Sequence, residues 1–163
     1  MDVAALAERA RARLELPEPE IGSAPPMGGT AVVRFPLWLW IDAEQWQPRS
    51  ARVSVRGGSA SVTAVPREVS WDMGDGSVIA CSGPGTVFDP AVHTPGSESP
   101  DCGHVYRLSS KNRPGGRDTV EATVVWGVSW ESSSGEGGQL EPMETSTSRS
   151  IEVVEVHSVV VDG

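Results

Sequence analysis

Three histidines, two cysteines and 22 acidic residues are the groups with which this chain of 163 residues could do chemistry. Nucleophilic hydrolysis needs a serine beside a histidine, commonly on a G-x-S-x-G turn, and the chain contains no such turn. His93, His104 and His157 are scattered, without the H-x-x-x-H or C-x-x-C spacing that gathers ligands around a metal. Cys81 and Cys102 are too far apart in sequence to be a C-x-x-C redox pair. Ser82-Gly83-Pro84-Gly85-Thr86 is rich in glycine but has no lysine and no helix after it, so it is no phosphate cradle. Lys111, the single lysine, has no glycine-rich lead-in. Glycoside hydrolysis needs two carboxyl groups held roughly 5–10 Å apart in a cleft. With so many acidic residues the sequence singles out no such pair. Asp72 and Asp75, with Asp42 or Asp101, could offer oxygens to calcium, but their spacing is not that of an EF-hand loop. No catalytic residue, metal ligand or cofactor is expected.

The densest cluster of special residues is Trp71-Asp72-Met73-Gly74-Asp75-Gly76. Trp71 closes the alternating run Val69-Ser70-Trp71, which points its indole at a core. The glycines admit positive φ, and the aspartate side chains can accept from backbone N–H groups two residues on. Ser77 to Cys81 is strand-like again, so the unit reads as strand, tight turn, strand.

The elements around this turn are short strands. Gly 18 and Pro 13 favour turns over helices, and valine dominates the apolar residues. Asp2 to Leu16 reads as a helix capped by Asp2 and stopped by Pro17, with Val3, Leu6, Ala7, Ala10 and Leu14 near one face. Residues 17–29 read as a Pro/Gly linker. Thr30 to Phe35 is the first expected strand, followed by Leu37 to Ile41, which is apolar on both faces. Asp42 to Pro48 reads as a loop. Ala51 to Arg56 and Ser59 to Val65 form a hairpin across Gly57-Gly58, with Pro66 breaking the run. Thr119 to Trp130 is the cleanest alternation and is expected to be a central strand. Glu131 to Ser150 reads as a mobile connection. Ile151 to Val161 is the expected last strand, with a phase slip at Val153-Val154 that suggests a bulge.

The order of W-D-M-G-D-G, then Cys102-Gly103-His104-Val105-Tyr106, then a glycine-led alternating strand containing Val120, Ala122 and Val124, resembles the PKD domain. The whole chain, with P-L-W-L-W-I, C-S-G-P-G-T and S-P-D-C-G-H-V-Y, also resembles small exported actinobacterial proteins with a PKD-like core. The resemblance implies an all-β, immunoglobulin-like (PKD-type) β-sandwich with a short N-terminal helix. Residues 1–29 would be helix and linker, and residues 30–163 the sandwich. It further implies a structural turn made by Trp71, Asp72, Gly74, Asp75 and Gly76, with His104 and Tyr106 closing over it. Export makes one disulfide between Cys81 and Cys102 the expected state, closing a long irregular loop. The alternative is two free thiols in the cytosol.

Composition narrows the partners. At a net charge of −9 the only basic density is Arg9-Ala10-Arg11-Ala12-Arg13, which reads as a solvated helix face and not as the basic stripe of a nucleic-acid binder. No apolar run reaches the ~20 residues of a membrane helix, and anionic bilayers would repel the chain. Residues 1–26 lack the apolar stretch of a signal peptide. A secreted or cell-surface protein is then expected to lie here in mature form, with Met1 added. Of the six tryptophans, Trp71, Trp126 and Trp130 are expected in the core. For Trp38, Trp40 and Trp46 there are two readings: Trp38 and Trp40 cover the sheet beneath the N-terminal helix, or the tryptophans form an aromatic patch for a protein or glycan. The expected function is a non-enzymatic binding or assembly module for a protein or cell-surface partner. The alternative is a carbohydrate-binding module using exposed tryptophans.

Overall fold

The computed structural model describes residues 2–156. It is an all-β protein with one short α-helix, built from two sheets around one apolar core. In chain order the elements are α1 (Val3–Arg11), β1 (Ile21–Ala24), β2 (Thr30–Val32), β3 (Pro36–Ile41), β4 (Arg49–Val55), β5 (Gly58–Asp72), β6 (Val78–Cys81), β7 (Gly103–Val105), β8 (Asp118–Ser132) and β9 (Gly137–Val154). The small sheet runs β1-β3-β7, and the large one runs β2-β9-β8-β5-β4, with β6 beside the second half of β5. Ladders are antiparallel except the parallel β2–β9 pair.

The frame is the β5–β8 pair. Alternation along β8 buries Val120, Ala122, Val124, Trp126 and Val128. β5 buries Ala60, Val62 and Ala64, then Val69 and Trp71, a phase change of one residue. The register shift between Pro66 and Glu68 absorbs that change, so both halves of β5 turn the same face inward. Pro66 therefore does not end the strand as expected. A proline is tolerated where a bulge already interrupts the ladder.

Three other expectations change. Residues 17–29 are not only a linker, because Ile21–Ala24 pairs with β3. Gly22 lies opposite Trp40, and a Cβ there would fall 1.9 Å from the Trp40 Nε1. A glycine expected to be part of the linker is the space the indole needs. Helix α1 is shorter than expected and keeps its Asp2 cap, whose Oδ1 accepts from the Ala5 N–H at 3.2 Å. It packs on β4, β5 and β8, not over Trp38 and Trp40. Leu6 is buried with Ala7 and Ala10, and the two alanines are small enough to bring the helix close to the sheet. Finally, residues 131–150 are no mobile connection. The chain turns at 133–136 and returns as β9, whose Ser/Thr content suits a strand with one wet face. Its bulge falls opposite Trp126 and Val128, beside Pro142, and not at Val153-Val154. The rest of the expected last strand and His157 lie outside the described residues.

Cys81 and Cys102 form a disulfide. Cys81 ends β6 in the large sheet and Cys102 precedes β7 in the small one, so the bond ties the two sheets together.

Candidate functional site

Two places bring the singled-out residues together. The first is the β5–β6 turn. The Asp72 Oδ1 accepts from the Gly74 N–H at 3.0 Å, and the Asp75 Oδ1 accepts from the Ser77 N–H at 2.9 Å. The Met73 N–H donates to the Ser77 carbonyl at 3.0 Å, while the Met73 side chain is buried. Gly74 has φ +77°, and a Cβ there would lie 2.5 Å from the Thr119 carbonyl oxygen. Only glycine meets both demands. From β7 and the residue after it, His104 and Tyr106 close the turn. The His104 Nε2 lies 2.8 Å from the Asp75 Oδ2, and the Tyr106 hydroxyl donates to the Met73 carbonyl at 2.8 Å. The two rings stand edge to face with centroids 4.7 Å apart.

Electrostatics follow from this packing. Burial alone would raise the Asp75 pKa, but the His104 hydrogen bond, the Ser77 N–H and the His104 charge together hold it below its ordinary value. Tyr106 is pushed far up by burial first, then by the charges of Asp118, Asp75 and Asp72. Asp118, at the start of β8, is buried and receives the Arg113 Nε–H at 2.9 Å. Burial raises its pKa more than Arg113 lowers it. An open depression of about 470–490 Å³ lies on either side of His104, one bounded by Asp75, Arg107 and Arg113, the other by the disulfide.

The chemistry available there is limited. Both Asp75 oxygens are engaged, and no hydroxyl is hydrogen-bonded to His104 among the described residues. Among the described residues no three His, Cys, Asp or Glu side chains cluster as a metal site. The aspartates considered for calcium are apart and engaged locally. Asp42 caps a short turn through the Glu44 N–H at 2.9 Å, and Asp101 holds the Thr86 N–H and hydroxyl at 3.1 Å each.

The second place is the outer face of β3. Leu37, Leu39 and Ile41 enter the main core, which leaves Trp38 and Trp40 on the far side. The disulfide-closed loop, residues 82–101, folds over Trp38 and leaves it 3% exposed. The indole N–H donates to the Ser97 carbonyl at 2.7 Å, and Phe88 and His93 pack on the ring with centroids at 5.0 and 4.6 Å. The His93 Nδ1 accepts from the Asp89 N–H at 2.9 Å, which fixes the ring. Trp40 is half-buried across Gly22, and Trp46 is half-buried against the main core. The three tryptophans therefore do not form one exposed platform. Beside Trp38 an apolar groove of about 330 Å³ is lined by Phe35, Pro36, Phe88, Pro25 and Pro95, and Phe35 is 60% exposed.

Of the expected core tryptophans, Trp71 and Trp126 are fully buried and Trp130 is partly so. Sequence reasoning missed Phe35, Phe88, His93 and the Asp118–Arg113 pair. Asp118 did carry a signal, because it falls on the inward phase of Val120 and Ala122. Phe88 and His93 sit in an irregular loop with no periodicity to read. Compared with known proteins, the chain matches no family model, no curated protein and no solved structure. No helix among the described residues is long and apolar enough to cross a membrane.

Proposed function

We propose that this chain is a non-enzymatic, PKD-like module of immunoglobulin-like type that binds a protein partner outside the cell or at its surface. The observation that carries this reading is the division of labour between the two places. The turn spends its acidic and aromatic groups on its own backbone, through Asp72, Asp75, His104 and Tyr106. The covered face of β3 instead offers solvent an apolar groove with Phe35 at its rim. Exposed aromatic anchors beside a preformed depression are the usual centre of a protein contact. A disulfide between the sheets suits an oxidising compartment.

The experiment is a comparison of wild type and Phe35→Asp, each immobilised and exposed to cell-envelope and culture-medium proteins. The reading expects a partner retained by wild type and lost by the variant, with unchanged melting temperature. Equal retention by both would refute the groove as the contact. Selective binding to a glycan array, lost on Trp40→Ala, would favour the carbohydrate-binding alternative.

A further inference from the structure

The long strand β9 has one open edge. Among the described residues it pairs with β8 along its length and with β2 only over Glu152–Val154. The Ser150 carbonyl and the Glu152 N–H face outward, because they bond Gly28 and Gly29 at 2.9 and 3.2 Å. The β8–β9 register is unbroken from Ile151 back to Met143. Strand alternation then turns the N–H and C=O of Ser148, Ser146 and Glu144 outward as well. These three residues form a free ladder, closed at one end by Gly28-Gly29 and at the other by the bulge beside Pro142.

We propose that this edge pairs with the same edge of a second copy, antiparallel and centred on Ser146. That register sets Ser146 against itself and Glu144 against Ser148, and it satisfies the outward N–H and C=O groups of Glu144, Ser146 and Ser148 on both strands. Neighbouring registers fail for stated reasons. Centring on Thr147 brings Glu144 to Ser150, whose carbonyl is already taken by Gly28. Centring on Thr145 brings Ser148 to Pro142, which has no N–H. Centring on Glu144 places two glutamates side by side, which is destabilising.

Charge agrees, since Glu144 faces Ser148 and Arg149 faces Met143. The other long edge, β4, carries Arg49 and Arg52, with Arg56 just beyond, and so resists self-pairing. A two-fold axis through Ser146 makes the contact isologous, so assembly stops at the dimer.

The test uses the absence of free cysteines. In the pairing, the two Ser146 Cα atoms lie about 5.5 Å apart, a hydrogen-bonded antiparallel pair. That is within the roughly 4.4–6.8 Å a disulfide spans. Ser146→Cys is therefore expected to give a single covalent dimer under mild oxidation, while Ser54→Cys on β4 stays monomeric. Wild type is expected to show a concentration-dependent dimer by sedimentation. Ser146→Pro abolishes it, since this N–H makes no bond to β8. A wild type that stays monomeric at every concentration would overturn the proposal. So would Ser146→Cys that cross-links no better than Ser54→Cys, or a ladder of higher oligomers, which would mean pairing with a different edge.

Discussion

Asp75→Ala tests the structural reading of the turn most directly. The substitution removes the acceptor of the Ser77 N–H and the partner of His104, at 2.9 and 2.8 Å. Both side chains of the pair are largely buried, at 16% and 12% exposure. A hydrogen bond to a charged group contributes about 1.5–3 kcal/mol, and a buried donor left without a partner costs about 1–3 kcal/mol. The two losses overlap, since water can reach the open side of His104. The expected destabilisation is therefore about 2–4 kcal/mol. For a domain of this size that lowers Tm by roughly 4–16 °C. The pH dependence carries a sign. Asp75 titrates below its ordinary value of 3.8 in the folded chain. Its contribution is thus fully present above that value and is lost as pH falls through the lower folded one. Asp118 acts in the opposite sense. Its folded pKa is raised, so its contribution is fully present below 3.8 and is lost as pH rises through the folded value. Wild type should lose stability between pH 5 and pH 2 more steeply than Asp75→Ala, and Asp118→Asn should steepen that acid loss further. Thermal melts of the three proteins across this range measure it. An unchanged melting temperature for Asp75→Ala at neutral pH, with partner binding abolished, would refute the structural role.

The remaining predictions are brief. Gly74→Ala combines φ +77° with a Cβ at 2.5 Å from the Thr119 carbonyl, so it should cost more than about 2 kcal/mol by chemical denaturation, whereas Gly76→Ala, with open space around it, should cost less. Replacing Cys81 and Cys102 together by serine removes a tie across a sequence separation of 21 and should cost about 3 kcal/mol. The freed loop should also uncover Trp38, giving a red-shifted tryptophan emission that is absent in a Trp38→Phe background. Tyr106→Phe strands the buried Met73 carbonyl and should cost about 1–2 kcal/mol without changing the emission spectrum.

How much of this was legible in the sequence depends on where the determining contacts lie. The W-D-M-G-D-G turn was readable because its hydrogen bonds are local, from Asp72 to Gly74 and from Asp75 to Ser77. β8 was readable because both neighbours preserve its period. β9 was not, because its alternation is serine and threonine against solvent, and apolar periodicity cannot see a strand held mainly by its partner's backbone. β1 was hidden by Gly22, whose purpose exists only opposite Trp40. Pro66 misled because the bulge that tolerates it is set by β8, more than fifty residues later.

The same distinction governs the candidate sites. Leu37-Trp38-Leu39-Trp40-Ile41 is apolar on both faces, which requires a second cover but does not say what supplies it. The expected choices were cover by the helix or an exposed aromatic patch, and the loop after Cys81 supplies the cover instead. The disulfide explains why the loop lies there. By joining β6 to the residue before β7, it pins both ends of residues 82–101 at the junction of the sheets. A loop held there lies against β3, and Ile41 and Leu39 extend their ladder to Pro84 and Cys102 at 2.7 and 3.1 Å. Phe88 and His93 then reach the indole that the strand turns outward. The helix packs on β4, β5 and β8 instead. Cysteine placement therefore sorts the tryptophans: Trp38 is sealed, and Phe35, just before the strand, becomes the aromatic side chain left at the surface.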